Sequence, residues 1–78
     1  MTQQDALEWI ARLFEHPPEQ LTPDTAREKI KAWDSLGVLL LMGGLDSDFN
    51  IQLTDEEVQN LRTVGDILAI LSARGVLY

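Results

Sequence analysis

The residues available for chemistry are few. The chain has no cysteine and one histidine, His16, which precedes Pro17-Pro18 with no metal-ligand spacing around it. Lack of cysteine removes disulfides, thiolate nucleophiles and cysteine metal sites together. A lone histidine without partner residues reads as structural or solvent-facing. Carboxylates are plentiful, but an acid–base pair needs a pocket that drives two pKa values apart. Asp55-Glu56-Glu57 stands where a helix opens, and negative charge is favoured there for electrostatic reasons alone. Asp46-Ser47-Asp48 lacks the spaced oxygen ligands of a calcium loop. Gly43-Gly44 lies inside an apolar helical pattern and does not match a phosphate-binding loop.

Ser35 differs from these. It follows Asp34 and precedes the most apolar stretch of the chain, Leu36 to Leu45. A helix starting here would aim free backbone N–H groups and the positive end of its dipole at the serine, a field that suits a phosphate. Serine and aspartate are also among the commonest helix caps. Local physics alone favours a plain cap at Asp34 or Ser35.

Four helical segments would have to position that serine. The first is predicted over residues 3–15, capped by Thr2 with Asp5 in its first turn, and Leu7, Ile10, Ala11 and Phe14 share one face. His16-Pro17-Pro18 ends it, because residues before proline avoid helical dihedrals. A long connection covers residues 16–34, and Thr22-Pro23 within it suggests a short helical turn over 24–31. The second helix is predicted over residues 35–48. Val38, Leu41, Met42, Leu45 and Phe49 form its core stripe, while Leu36, Leu39 and Leu40 project elsewhere. Thr54-Asp55-Glu56-Glu57 is a capping box for a short third helix, with Val58 and Leu61 as its apolar contacts. The fourth begins at Thr63 with Asp66 in the matching position, buries Val64, Ile67, Leu68 and Leu71, and stops near Gly75. Ile51-Gln52-Leu53 alternates but is too short to pair alone. The expected architecture is all-α: a small four-helix bundle of three longer helices and one short one, with a long loop between the first and second.

Size and charge narrow the function further. The 78 residues suffice for one domain, residues 1–78, with little room for a deep catalytic cleft. Six basic residues stand against 13 acidic ones, a net charge of −7. That surface repels nucleic-acid phosphates and anionic lipid headgroups and attracts proteins with basic patches. No basic segment followed by an apolar run opens the sequence, and the apolar run over residues 38–42 is too short for membrane insertion. A cytoplasmic monomer is the expectation.

The wider pattern reverses the plain-cap reading of Ser35. Asp34-Ser35-Leu36 resembles the attachment motif of acyl and peptidyl carrier proteins. Downstream, Leu41, Leu45 and Phe49, then Ile51-Gln52-Leu53, Asp55-Glu56-Glu57, Leu61 and Thr63-Val64 follow the spacing of that family. The resemblance runs without gaps over residues 33–71, and Trp33-Asp34-Ser35-Leu36-Gly37 is similar to free-standing carriers and carrier domains outside primary fatty acid synthesis. It implies that a phosphopantetheinyl transferase attaches 4′-phosphopantetheine from coenzyme A to Ser35, with Asp34 and Leu36 flanking the attachment point. The arm's thiol would hold an acyl or aminoacyl group as a thioester, which suits a chain without cysteine. The carrier itself is then not an enzyme. It would deliver cargo to acyl-loading and acyl-transferring partners such as ligases, ketosynthases or acyltransferases, in a fatty acid, lipid or polyketide-type pathway.

Three departures bear on partner choice. Fatty acid carriers usually place acidic residues along the second helix; Gly37 and Leu40 occupy two such positions. Leu36, Leu39 and Leu40 would form an apolar docking face, unless they pack under the long loop. Asp46, Asp48, Glu56 and Glu57 would steer a basic partner toward it. Gly43 replaces a larger apolar residue. These features favour a dedicated carrier for a specialised lipid, polyketide or modified amino acid. An aminoacyl or peptidyl carrier and an unmodified carrier-like interaction module remain alternatives.

Overall fold

Each helix starts where a short oxygen-bearing side chain can take up a free first-turn amide. In the computed structural model, which describes residues 1–77, the helices are α1 (Gln3–Leu13), α2 (Ser35–Phe49), α3 (Asp55–Gln59) and α4 (Val64–Ala73). Thr2, Thr54 and Thr63 cap α1, α3 and α4 through reciprocal capping boxes with Asp5, Glu57 and Asp66. Asp66 Oδ2 also accepts from the Arg62 amide at 2.8 Å. Asp34 caps α2 alone: its Oδ1 accepts from the Gly37 amide at 2.9 Å.

The three longer helices stop with one device. Glu15 (φ 51°), Asn50 (φ 56°) and Gly75 (φ 77°) turn left-handed just past α1, α2 and α4. The next amide in each case reaches back into the last turn: His16 to Ala11 O at 2.8 Å, Ile51 to Leu45 O at 3.0 Å, Val76 to Leu71 O at 2.9 Å. Glycine and asparagine take that conformation readily; Glu15 takes it under the constraint of the following prolines. This is why α1 ends at Leu13 and not at residue 15 as the sequence suggests.

The core is a single cluster whose largest fully buried side chains are Ile10, Leu41, Leu45, Val64, Ile67 and Leu71. α4 buries the expected Val64, Ile67, Leu68 and Leu71. Two faces are rotated from expectation. α1 buries Ala6 with Ile10 and Ala11, and Leu7 is only half-buried. α2 buries Gly37, Leu41 and Leu45, whereas Val38, Met42 and Phe49 lie at the half-buried margin. The rotation follows from Gly37. Its Cα lies so close to the Ala32 carbonyl that a Cβ there would overlap the oxygen, so this glycine sets how near α2 packs to the preceding loop.

The long connection also departs from expectation. No α-helix forms over residues 24–31; 3-10 turns occupy Pro18–Gln20 and Arg27–Lys29. The reason is competition for backbone groups. Gly65 N–H donates to Pro23 O at 2.8 Å, Val64 N–H to Thr25 O at 3.0 Å, and Arg27 N–H to Arg62 O at 2.8 Å. Ala26 and Thr63 thereby form an isolated antiparallel bridge, and a helix could not keep these groups for its own ladder. Leu21, Ile30 and Trp33 plug the connection into the core. Residues 51–53 form no strand.

Candidate functional site

Ser35 is the first residue of α2 and is exposed. Because Asp34 supplies the cap, the Ser35 hydroxyl makes no hydrogen bond to any described residue. The first-turn amides of Ser35 and Leu36 likewise have no acceptor among the described residues, while the Gly37 and Val38 amides are taken by Asp34 Oδ1 and Asp34 O. The site is therefore a solvent-facing hydroxyl beside two free amide donors at the positive end of a 15-residue helix. That arrangement fits a phosphodiester on Ser35.

The support beneath it is aromatic. Trp33 is buried and stacks on Phe14 with ring centroids 5.3 Å apart and planes 17° apart. The Arg27 guanidinium lies 5.8 Å from the Trp33 ring centroid, and its Nε donates to the Trp33 carbonyl at 3.0 Å. Two residues before Ser35, the chain is thus anchored both to Phe14, the residue that closes α1, and to the long loop. Composition and periodicity gave no signal for Arg27. The aromatic pair could have been sought from Trp33, an isolated large side chain directly before the motif.

Leu36, Leu39 and Leu40 are 66%, 65% and 49% exposed, so they do not pack under the loop. Spacings of three and four residues put them on one strip with Gly43, where a side chain would meet nothing within 4 Å. Large exposed apolar side chains grouped in this way form a candidate docking surface. The four acids expected nearby are not equivalent. Asp46 and Glu56 are exposed and make no polar contact with described residues. Asp48 instead accepts from Trp9 Nε1 at 2.7 Å, and Trp9 packs at a tilt on Phe49 with centroids 5.0 Å apart. Glu57 accepts from the Thr54 amide at 3.0 Å and pairs with Arg74 at 3.1 Å. The Thr54 hydrogen bond, aided by Arg74, holds its carboxyl below the usual carboxylate range.

Elsewhere the surface offers little. His16 is half-buried in a shallow depression with Glu8, Arg12 and Glu15, at the end of α1 opposite its capped start. Among the described residues no group of three His, Cys, Asp or Glu side chains converges to hold a metal ion. No described helix is long and apolar enough to cross a membrane.

No family model matches the sequence. Curated relatives do. An acyl carrier protein of Exiguobacterium sibiricum is 30% identical over 70 residues, covering 90% of this chain and 89% of the relative. One of Wolinella succinogenes is 31% identical over 64 residues, covering 82% and 84%. A third, of Kineococcus radiotolerans, is 41% identical over 39 residues, about half of each chain. With 90% of the chain covered at 30% identity and an all-helical bundle among the described residues, the chain belongs to the acyl carrier protein family.

Proposed function

We propose that Ser35 carries a 4′-phosphopantetheine arm and that the protein tethers acyl intermediates on it. The observation that supports this most is the division of labour at the start of α2. Asp34 takes the capping role, so the Ser35 hydroxyl stays free and exposed. In the loading step, Ser35 Oγ forms a bond to the phosphorus of coenzyme A that bears the pantetheine chain. The bond from that phosphorus to the oxygen bridging to the adenine nucleotide breaks, and the hydroxyl proton passes to a base of the phosphopantetheinyl transferase. The free Ser35 and Leu36 amides would be available to hold the phosphodiester, and Asp34, bound by the Gly37 amide, would keep the helix end capped. When attached, the arm supplies a terminal thiol that holds the acyl group as a thioester and raises its effective concentration at partner sites. This chain contributes no catalytic group to the transfers that follow.

Partner enzymes dock, in this reading, on the strip of Leu36, Leu39, Leu40 and Gly43 beside the arm. Asp46 and Glu56 act as steering charges; Asp48 and Glu57 are secondary because internal contacts already engage them. A docking helix without acidic residues in its first eleven positions suits a dedicated partner in a specialised lipid or polyketide-type pathway more than the enzymes of housekeeping fatty acid synthesis.

Loading can be measured directly. Incubated with coenzyme A and a broad-specificity transferase, the protein should gain one phosphopantetheine, mapped to the Ser35 peptide by mass spectrometry. Ser35→Ala should gain none and keep its helical circular dichroism, since the Asp34 cap is untouched. Attachment at Ser47 or Ser72, or no attachment to the parent protein, would overturn the proposal.

A further inference from the structure

Arg27 stands eight residues before Ser35 in a loop that sequence patterning leaves without a role. In the fold it links three separate parts of the molecule. Its amide donates to the Arg62 carbonyl at 2.8 Å, beside the Ala26–Thr63 bridge, which fixes the residue against the start of α4. Its side chain then crosses the buried Trp33 ring, and Nε donates to the Trp33 carbonyl at 3.0 Å. That carbonyl lies just ahead of α2 and outside its ladder, whose first acceptor is Asp34 O. Arg27 is thus the side chain that satisfies it.

From this geometry we infer that Arg27 is a positioning residue for Ser35: it holds the Trp33-Asp34 turn, and so the direction in which the Ser35 hydroxyl is offered to partner enzymes. The inference rests on the reading that Ser35 is the attachment point. Three restraints converge on the turn. The Trp33 ring stacks on Phe14 and has the Arg27 guanidinium over it, its carbonyl is held by Arg27 Nε, and Asp34 is held by the Gly37 amide. Of these, only the Arg27 contact crosses from the loop to the turn through a charged, half-buried side chain. A planar guanidinium can lie over an indole face while its edge donates to a carbonyl, a combination that no neutral side chain offers. Arg62 provides the internal control. Its backbone receives Arg27, but its side chain is exposed and makes no polar contact with described residues, so Arg62→Gln removes the same charge without releasing the turn.

The test is steady-state loading by a broad-specificity phosphopantetheinyl transferase, with protein concentration varied at saturating coenzyme A. Misplacing a reacting group by about an ångström can cost on the order of a hundredfold. For Arg27→Gln the expected result is a fall in kcat of roughly tenfold or more, with KM within about twofold of the parent. Arg27→Lys keeps the charge but not the planar fork that stacks and donates together, so it should recover only part of the loss, and Arg62→Gln should load like the parent. Equal kcat for Arg27→Gln and Arg62→Gln would overturn the inference. So would a loss confined to KM, which would mean that Arg27 touches the transferase and does not position the turn. Should Arg27→Gln fail to fold, Arg27→Lys takes its place, and equal kcat for Arg27→Lys and Arg62→Gln then overturns the inference. A second readout uses the parent protein without any enzyme: nuclear magnetic resonance of the Arg27 Nε–H. A signal protected from solvent exchange and coupled to the Trp33 carbonyl carbon is expected; a freely exchanging one overturns the contact. Failure of the parent protein to load would instead overturn the Ser35 reading and leave this resonance test unaffected.

Discussion

α2 and α4 are both strongly apolar helices, and they use that character in opposite ways. α4 turns Val64, Ile67, Leu68 and Leu71 into the core and keeps little apolar surface in water. α2 buries only Gly37, Leu41 and Leu45 and leaves three leucines largely exposed in the two turns after Ser35. Solvent-facing leucines add little to the folded state that smaller residues would not, which is why the docking face proposed above is placed on them. α4 thus commits its apolar residues to the core, whereas α2 leaves part of its own at the surface.

The contrast can be broken most sharply by truncation. Ile67→Ala in α4 removes a fully buried side chain and should cost about 2–5 kcal/mol. In a domain of this size each lost kcal/mol lowers the melting temperature by roughly 4–8 °C, so the variant should melt well below the parent. Leu39→Ala deletes a side chain of the same volume from a 65% exposed position and should stay within about 0.5 kcal/mol of the parent. Thermal melts of both variants decide the matter. Similar losses would mean that the α2 leucines support the fold and that the division between the helices is false.

The next effect is on binding. Leu40→Glu places a carboxylate in the apolar strip, at 49% exposure, with little expected change in melting. Side chains near the centre of an interface dominate its energy, and affinity changes within one interface fall mainly on dissociation. For the loaded protein and its own transfer enzyme, dissociation should quicken by about tenfold, equivalent to ~1.4 kcal/mol. Association should slow with added salt for parent and variant alike, because the substitution leaves the proposed steering charges, Asp46 and Glu56, in place. Binding kinetics at two salt concentrations resolve these terms. Unchanged dissociation would remove Leu40 from the interface.

What could be read from the sequence divides along the same physical line. Caps at Thr2, Thr54 and Thr63 were legible because each depends on two residues three apart, and the α4 face because its four apolar residues share one helical side. The outward placement of Leu36 and Leu40 was legible too, since they lie nearly opposite the Leu41–Leu45 stripe. The missed features depend on distant partners. Residues 24–31 read as a helical turn because nothing local shows that Thr25 O and Arg27 N–H are taken by residues 62–64. Phe49 read as core, yet it lies at the half-buried margin against Trp9, because Gly37 lets α2 rotate onto Ala32. At the candidate site, a helix cap at Asp34 or Ser35 was legible from residue type, and it falls on Asp34. That Asp48 is held by Trp9 and Glu57 by Thr54 and Arg74 was not, because those contacts are side-chain geometry.

The smallest effect concerns how the far end of α4 is fastened, by an ion pair where the far end of α2 uses the hydrogen bond from Trp9 to Asp48. Arg74, just past α4, pairs with Glu57 at 3.1 Å, while the Glu57 carboxylate also accepts from the Thr54 amide. The amide hydrogen bond is the leading cause of the lowered pKa, ahead of Arg74. Since the folded-state pKa lies below the ordinary value of 4.5, ionised Glu57 adds stability that is complete above that value. It is lost as pH falls through the lowered folded-state pKa. The pair is exposed to solvent, so its Coulombic share is small and screened by salt. Glu57→Gln separates the causes, because glutamine at the third helical position can still accept from the cap amide but cannot pair with Arg74 as an anion. Urea midpoints should show a slight deficit for Glu57→Gln at neutral pH that closes as the parent's carboxylate becomes protonated. Arg74→Gln should cost less than Glu57→Ala, which loses the capping hydrogen bond as well. The opposite order would make the ion pair, and not the cap, the main function of Glu57.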